Sequence, residues 1–485
     1  QALLVSDVLL DIFAQVNQIP STGKKTSSRK SLASLAVTCK AFYEPAMDLL
    51  WAEVDQLEPL LGCVTRLHPL IYRRSHAPWD DTWAEGIEPL SVDEARQFLH
   101  HSARIRSLNT SSTDRLFPLL SVIPVEACVF PRLQSLTLFT IIHSGLYMSR
   151  TLRHCYLFIV NADPPQSIAV PGAALEDLSI KAFDKSTEDQ LRMLSDRVRF
   201  CKQLVTLFCP PLDWAAWKHL SNLPTLVEVE IREVRGYCAP PWPLDWHIIN
   251  FSPFLNVTAL SFAVGSAAYV TTILQFPSLK MFWIMIDVVS STEAERLFRA
   301  LSHYKQTLEQ LTFILGEYHD LRNNYLTVIT HLLCFTQLRI LQLESLDSCI
   351  YLDNNLFLKA MSAWPYIEFL KIEDSGLRPS ITFRGLFTAL RQCPQLESLQ
   401  VLIDTVNIDI DPNAEPIQHT SLRTLDLEAS EPPIENAEVL ARIIFTWLPF
   451  VDQVNKDADD LEPWDEVNLH LISLRAAARR VMEVP

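Results

Sequence analysis

No stretch of this chain stays apolar long enough to cross a bilayer. The longest nearly uninterrupted run, "LKMFWIMIDVV" from Leu279, is about half the roughly 20 residues a membrane helix needs, so no membrane span is expected. Basic charge is also scarce: 41 Lys and Arg face 57 Asp and Glu, giving a net charge of −16 and a pI near 5.3. Binding phosphates needs clustered cations, so no nucleic-acid partner is expected. From Asp404 onward 17 acidic residues face 6 basic ones, a net of −11; this reads as solvated acidic loops, with a docking surface for a basic partner as the other reading.

Motifs for chemistry are missing as well. The ten cysteines contain no Cys-x-x-Cys pair, so they read as small buried hydrophobes of a reducing compartment, cytoplasm or nucleus, and not as a disulfide framework or zinc site. His100 and His101 lack metal-ligand spacing. No Gly-x-Ser-x-Gly elbow marks a hydrolase. "STGKKTSS" fails as a phosphate loop, because Gln18 stands where the first Gly belongs and Lys25 where Ser or Thr belongs; it reads as a flexible basic linker. The sequons at Asn109 and Asn256 matter only in a secreted protein. The opening "QALLVSDVLLDIF" has acids within its apolar run and no basic leader, so it does not read as a signal peptide; an initiator Met is absent. No enzyme activity, metal or cofactor is expected.

What the chain does have is a recurring phrase, Leu-x-x-Leu-x-Leu in degenerate form. Clear copies start at Leu133, Leu175, Leu226, Leu279, Leu308, Leu338, Ile367, Leu396 and Leu422; weaker ones start at Ile105, Leu152, Leu204, Val257 and Val451. With the fourth position as marker, later copies fall at Phe282, Leu311, Leu341, Leu370, Leu399 and Leu425, in steps of 29, 30, 29, 29 and 26 residues. That period and phrase are those of leucine-rich repeats. Each phrase predicts a short strand with inward apolar residues, and each intervening stretch a return, often helical. Capping pairs Ser91 with Glu94, Thr187 with Gln190 and Thr292 with Glu295 support the helices. The expected fold class is α/β: a leucine-rich-repeat solenoid, a curved parallel sheet with outer helices, preceded by a small all-helical module. The expected divisions are a helical module at 1–55, a connector and capping helix at 56–100, the solenoid at 101–460 and a closing helix at 461–485.

At the amino-terminal end, Leu32, Leu35, Ala36, Cys39 and Tyr43 follow helical spacing before Pro45 breaks the pattern, and Leu4, Val8, Leu9, Ile12 and Phe13 form a second apolar face. Some fifty residues of short helices are marginal alone and need a partner surface. Leu4, Asp7, Val8, Leu9, Ile12 and Phe13, followed by Leu35, Ala36, "CKAFYEPA" and Leu50-Trp51, resemble the F-box, a helical module that docks on a Skp-type adaptor. Val5 stands where that family usually has Pro, Asp7 where it has Glu, and the linker after Phe13 is longer and more basic. The whole chain resembles an F-box protein with leucine-rich repeats of the fungal, basidiomycete type. The resemblance implies a substrate-recognition subunit of a Skp/cullin/F-box ubiquitin ligase, one copy within a hetero-complex. It also implies that Leu4, Val8, Ile12, Phe13, Leu35, Cys39, Phe42 and Trp51 form the helical core or the adaptor contact, without separating the two. The rival expectation is a repeat-based scaffold or inhibitor whose helical start is only a cap.

In such strands the residues beside the inward Leu point to the open face. Met281, Trp283, Met285, Gln310, Ile314, Gln342 and Lys371 are accordingly the candidates for holding an unidentified protein target. "KMFWIMI" is apolar on both alternations, so a slip of one residue would present Phe282, Ile284 and Ile286 instead. Either this patch is an exposed hot spot, or the Pro- and Trp-rich loop Gly236–Pro253 covers it.

Overall fold

The computed structural model describes residues 9, 11–15, 26–72, 82–110, 114–124, 128–139, 144–159, 174–182, 188–233, 252–288, 291–317, 328–345, 350, 352–374, 380–405, 408–410, 418–429, 434, 436–455 and 464–482. The chain divides into two compact units, Gln1–Leu226 and Val227–Pro485, a division that the phrase periodicity does not mark.

In the first unit the phrases become parallel strands in sequence order: β1 (Glu53–Val54), β2 (Ser107–Thr110), β3 (Ser135–Leu138), β4 (His154–Ile159), β5 (Asp177–Ala182) and β6 (Thr206–Cys209). The sheet thus starts before residue 101, with a two-residue strand that carries no phrase. The weak copies at Ile105, Leu152 and Leu204 are strands because their markers Leu108, Cys155 and Leu207 are buried like the strong ones. The longer helices are α1 (Thr26–Ala36), α2 (Lys40–Leu50), α3 (Val92–Ser102), α4 (Glu188–Val198) and α5 (Trp214–Leu220), with short ones at Glu58–Leu61 and His68–Tyr72.

The second unit repeats the design over β7 (Glu228–Arg232), β8 (Ala259–Val264), β9 (Met281–Val288), β10 (Gln310–Glu317), β11 (Ile340–Ser345), β12 (Phe369–Asp374), β13 (Ser398–Ile403) and β14 (Thr424–Ala429). Register follows the marker position: Val229, Leu260, Phe282, Leu311, Leu341, Leu370, Leu399 and Leu425 stand side by side across the strands. A one-residue slip would turn every inward side chain outward, so burial of this row specifies the pairing. Helices α6 (Ala267–Ile273), α7 (Ser291–Leu301), α8 (Asn354–Ala363), α9 (Phe383–Leu390) and α10 (Ala437–Trp447) occupy returns, and α11 (Asp465–Met482) follows the last strand. They cover the inward side, as where Phe298 of α7 meets Phe313 of β10 with centroids 5.1 Å apart. The architecture is α/β and solenoid-like.

Side chains reach back to staple successive repeats. His219 Nε2 donates to the Cys201 carbonyl at 2.7 Å, His419 Nε2 to the Cys393 carbonyl at 2.8 Å, and Trp364 Nε1 to the Leu332 carbonyl at 3.1 Å. Cysteines fill parts of the core as well. Cys155, Cys201, Cys209 and Cys393 are buried, and burial pushes the Cys393 thiol up to about 12, so these four are packing groups. Cys39 and Cys128 are exposed, contrary to the uniform burial expected from the sequence.

The Ser91 box forms as its spacing predicts: Ser91 accepts from the Glu94 amide, and Glu94 Oε2 accepts from the Ser91 amide at 2.8 Å. Arg66 Nε donates to Glu94 Oε1 at 2.8 Å. The Arg66 bond and then the Ser91 amide hold the Glu94 carboxyl at about 2, below its ordinary 4.5. A carboxylate depressed on folding stabilises above its unfolded pKa, and that stabilisation is lost as pH falls through its folded one. Stability from this pair should therefore fade from about pH 4.5 down to about 2, and urea titrations of Glu94→Gln should show a flatter acid limb than the parent.

Candidate functional site

Two surfaces carry the sequence-derived candidates. The first is the helical start. Residues 11–15 are helical, and Leu9, Phe13, Leu32, Ala36 and Ala46 form one buried cluster, with Leu35 and Phe42 packed against it. Phe13 meets Phe42 edge to face at 5.3 Å. The expected single stripe from Leu32 to Tyr43 is divided, because α1 ends at Ala36 and α2 begins at Lys40, with extended backbone at Cys39. Pro45 does not break the pattern but lies buried inside α2. The basic linker is also shorter than expected, since α1 takes up Thr26 onward and Arg29 Nη2 donates to the Glu53 carbonyl at 2.9 Å.

This separates roles that the sequence left merged. Phe13 is 3% exposed and belongs to the core; Leu35, Phe42 and Trp51 are half-buried. Ile12 at 40% and Cys39 face solvent, as do Val37 at 86% and Tyr43 at 41%. Leu4 and Val8 lie outside the described residues. The module is clamped to the first repeats. Arg104, whose side chain is only 10% exposed, bonds Glu44 Oε2 at 2.6 Å and also Asp48; Trp51 lies on the His101 ring at 4.9 Å, and the Arg106 and Ser107 amides both donate to the Ala52 carbonyl.

The second surface is the face of the second unit opposite its core. In β9, Phe282, Ile284 and Ile286 point inward, each 2% exposed or less, which sets Met281, Trp283 and Met285 on the open face. Met281 is 46% exposed, and Trp283 and Met285 are half-buried. Gln310, Ile314, Gln342 and Lys371 stand on the same face, so the structure brings all seven target candidates together. Residues 236–251, which include most of the loop weighed as a cover, lie outside the described residues.

Charge on this face is organised around two points. Lys371 Nζ lies 2.7 Å from Glu344 Oε1 and 2.8 Å from Glu373 Oε1; Gln342 bonds Glu344, and Gln400 bonds Glu373. Burial works against the Lys371 charge, but the two carboxylates outweigh it and hold its pKa above the ordinary value. At the other point the Arg232 guanidinium sits 5.9 Å from the Trp283 ring centroid and pairs with Glu230. The inward–outward alternation identified Trp283, but the contact with Arg232 spans two strands and has no local sequence signal.

The first unit carries an aromatic patch of its own. Phe139 stacks on Phe158 at 4.4 Å, Lys181 Nζ lies 5.6 Å from the Phe158 ring and 5.4 Å from Phe208, and Tyr156 is exposed. The alternation applied to the clear phrases at Leu133 and Leu175 yields Phe139 and Lys181, and extending it to the weaker copies yields Tyr156, Phe158 and Phe208. Among the described residues there is no group of three His, Cys, Asp or Glu that could hold a metal ion, and no helix long and apolar enough to cross a membrane. Comparison with the models of known protein families finds no match, and comparison with curated proteins finds none.

Proposed function

We propose that this chain is an F-box protein with leucine-rich repeats, acting as the substrate-recognition subunit of a Skp/cullin/F-box ubiquitin ligase. Its amino-terminal helices dock on the adaptor, and the open face of its strands holds a protein target. It performs no bond chemistry; holding the target raises its effective concentration at the ligase. The observation that carries the reading is a small helical module whose core is filled by Phe13, Leu32 and Ala46 while Ile12, Val37, Cys39 and Tyr43 stay exposed. The exposed Ile12, Val37 and Tyr43 are the apolar side chains that a docked partner would cover.

The experiment is capture of purified Skp-type adaptor by the purified chain. Because Ile12 is exposed, Ile12→Glu and Tyr43→Glu should leave the circular dichroism spectrum unchanged and reduce adaptor affinity at least about tenfold. Phe13 is unsuitable for this test, since a charge there would unfold the cluster. No complex with the parent chain, or one indifferent to both substitutions, would favour the scaffold reading. The Arg104 clamp on Glu44 and Asp48 is the observation on that rival's side, since it fastens the helices to the repeats as a cap requires.

A further inference from the structure

The open face of β7–β14 combines an aromatic already occupied by a cation with an excess of carboxylates. Its described charged positions are Glu228, Glu230, Glu344, Glu373 and Asp426 against Arg232 and Lys371, five acids to two bases. Beside Trp283, β8 contributes only Ala259, Ser261 and Ala263, so a shallow trough one strand wide runs between β7 and β9. Arg232 reaches across it to Trp283 while its Nε bonds Glu230. Its side chain is 55% exposed, and an exposed contact of this kind is weak enough to be exchanged for another cation.

We propose that this face binds an extended basic segment of a partner protein. One cationic side chain of the segment replaces Arg232 over Trp283, and a second, about four residues along, meets Glu344 and Glu373. The spacing comes from the register. Glu344 stands two strands and two residues from Trp283, and Glu373 three strands and two residues, so both lie roughly 12–16 Å away at ordinary sheet spacings, the span of about four extended residues. Ile314, on β10 between them and level with Glu344, offers apolar contact to the residues in the middle. An acidic segment would meet the net negative charge and is disfavoured. The inference rests on the reading that this face is the target-binding one, and it names the chemistry of the target.

The test pans a random displayed-peptide library on the purified full chain, without adaptor. Recovered peptides should be enriched in Arg and Lys about four positions apart around an apolar residue. For a synthetic copy of one such peptide, fluorescence anisotropy should show about tenfold weaker binding to Trp283→Ala. The Glu344→Gln/Glu373→Gln pair should give a similar loss and a shallower salt dependence. Arg232→Ala should tighten binding severalfold, because it vacates Trp283 and removes a competing charge. Failure to recover any peptide, recovery of acidic or neutral ones, or basic peptides insensitive to both the Trp283 and the paired Glu variants would overturn the inference. Ile12→Glu separates the two claims: lost adaptor capture with retained peptide binding fits both. Basic-peptide binding by a chain that never captures adaptor removes the ligase reading alone, and adaptor capture without it removes the peptide inference alone.

Discussion

Trp364→Ala is expected to cost about 3–5 kcal/mol of unfolding free energy, the usual range for truncating a fully buried aromatic. The residue is 0% exposed and joins three successive repeats. Its indole N–H donates to the Leu332 carbonyl at 3.1 Å in the repeat before, and its own carbonyl accepts the Ile367 amide at 3.2 Å just ahead of β12. In the repeat after, the Cys393 thiol packs 3.5 Å from that carbonyl. Substitution therefore leaves a cavity and removes one of the two bonds that the Leu332 carbonyl accepts, the Phe335 amide at 3.1 Å remaining. Trp364→Phe keeps most of the volume and loses the bond, so it should cost about 1–2 kcal/mol. Urea unfolding followed by near-ultraviolet circular dichroism distinguishes these outcomes. In a stack where each repeat contacts its neighbours, damage at one layer also uncouples those on either side. The Ala variant should consequently broaden the transition; a sharp transition within 1 kcal/mol of the parent would contradict the role assigned to Trp364.

The repeats were legible because each strand must repeat one physical requirement, burial of the marker and of the residue two after it. Leu311 with Phe313, or Leu370 with Ile372, meets it by local pattern alone. Even Cys155, a weak marker on paper, satisfies it, because a thiol packs as a small hydrophobe. The helical start was less legible. Spacing could not show that the stripe from Leu32 to Tyr43 is two helices, since residues 37–39 interrupt the backbone without a glycine or proline to announce it. Pro45 misled in the opposite direction. A proline is costly in a helix interior, and it persists inside α2 where Ala46 and its neighbours pack into the cluster with Leu32 and Phe13.

For the open face, strand alternation was enough to choose Met281, Trp283 and Met285, and burial of Phe282 decided the register that the doubly apolar "KMFWIMI" left open. Charge pairing was beyond it. Lys371 is one basic residue in a line of sequence, but in the sheet it stands beside Glu344 of the preceding strand, 27 residues away, and Glu373 of its own. Arg232 and Trp283 are 51 residues apart, so only the folded register makes the guanidinium a resident of the ring. The features that bear most on what the face would bind are those the linear pattern contains least.

Asn468→Leu is expected to destabilise the chain by about 2–4 kcal/mol, because it orphans two buried backbone groups at once. Beyond β14 the chain pairs only briefly: Val454 bridges Leu425, the Asn455 amide donates to the Leu425 carbonyl at 3.0 Å, and Asn455 then turns the backbone away at φ +56. Its side-chain amide continues where the backbone leaves off, accepting from the Leu427 amide at 2.5 Å and donating to the Leu427 carbonyl at 2.9 Å. Asn468 of α11 does the same one layer out, accepting from the Val454 amide and donating to the Val454 carbonyl, both at 2.9 Å. Two primary amides thus stand in for a further strand, and both residues are at most 9% exposed. Leucine branches at Cγ as Asn468 does, though it is bulkier, and offers neither donor nor acceptor, so the Val454 groups must go unpaired or α11 must lift away. Lifting α11 would uncover Val454 and the groups of β14 behind it, and an uncovered strand edge is a template for association. Light scattering and size-exclusion chromatography of Asn468→Leu should then show self-association that Asn468→Gln shows less. A monomeric Leu variant of parental stability would mean that α11 covers the edge without these bonds.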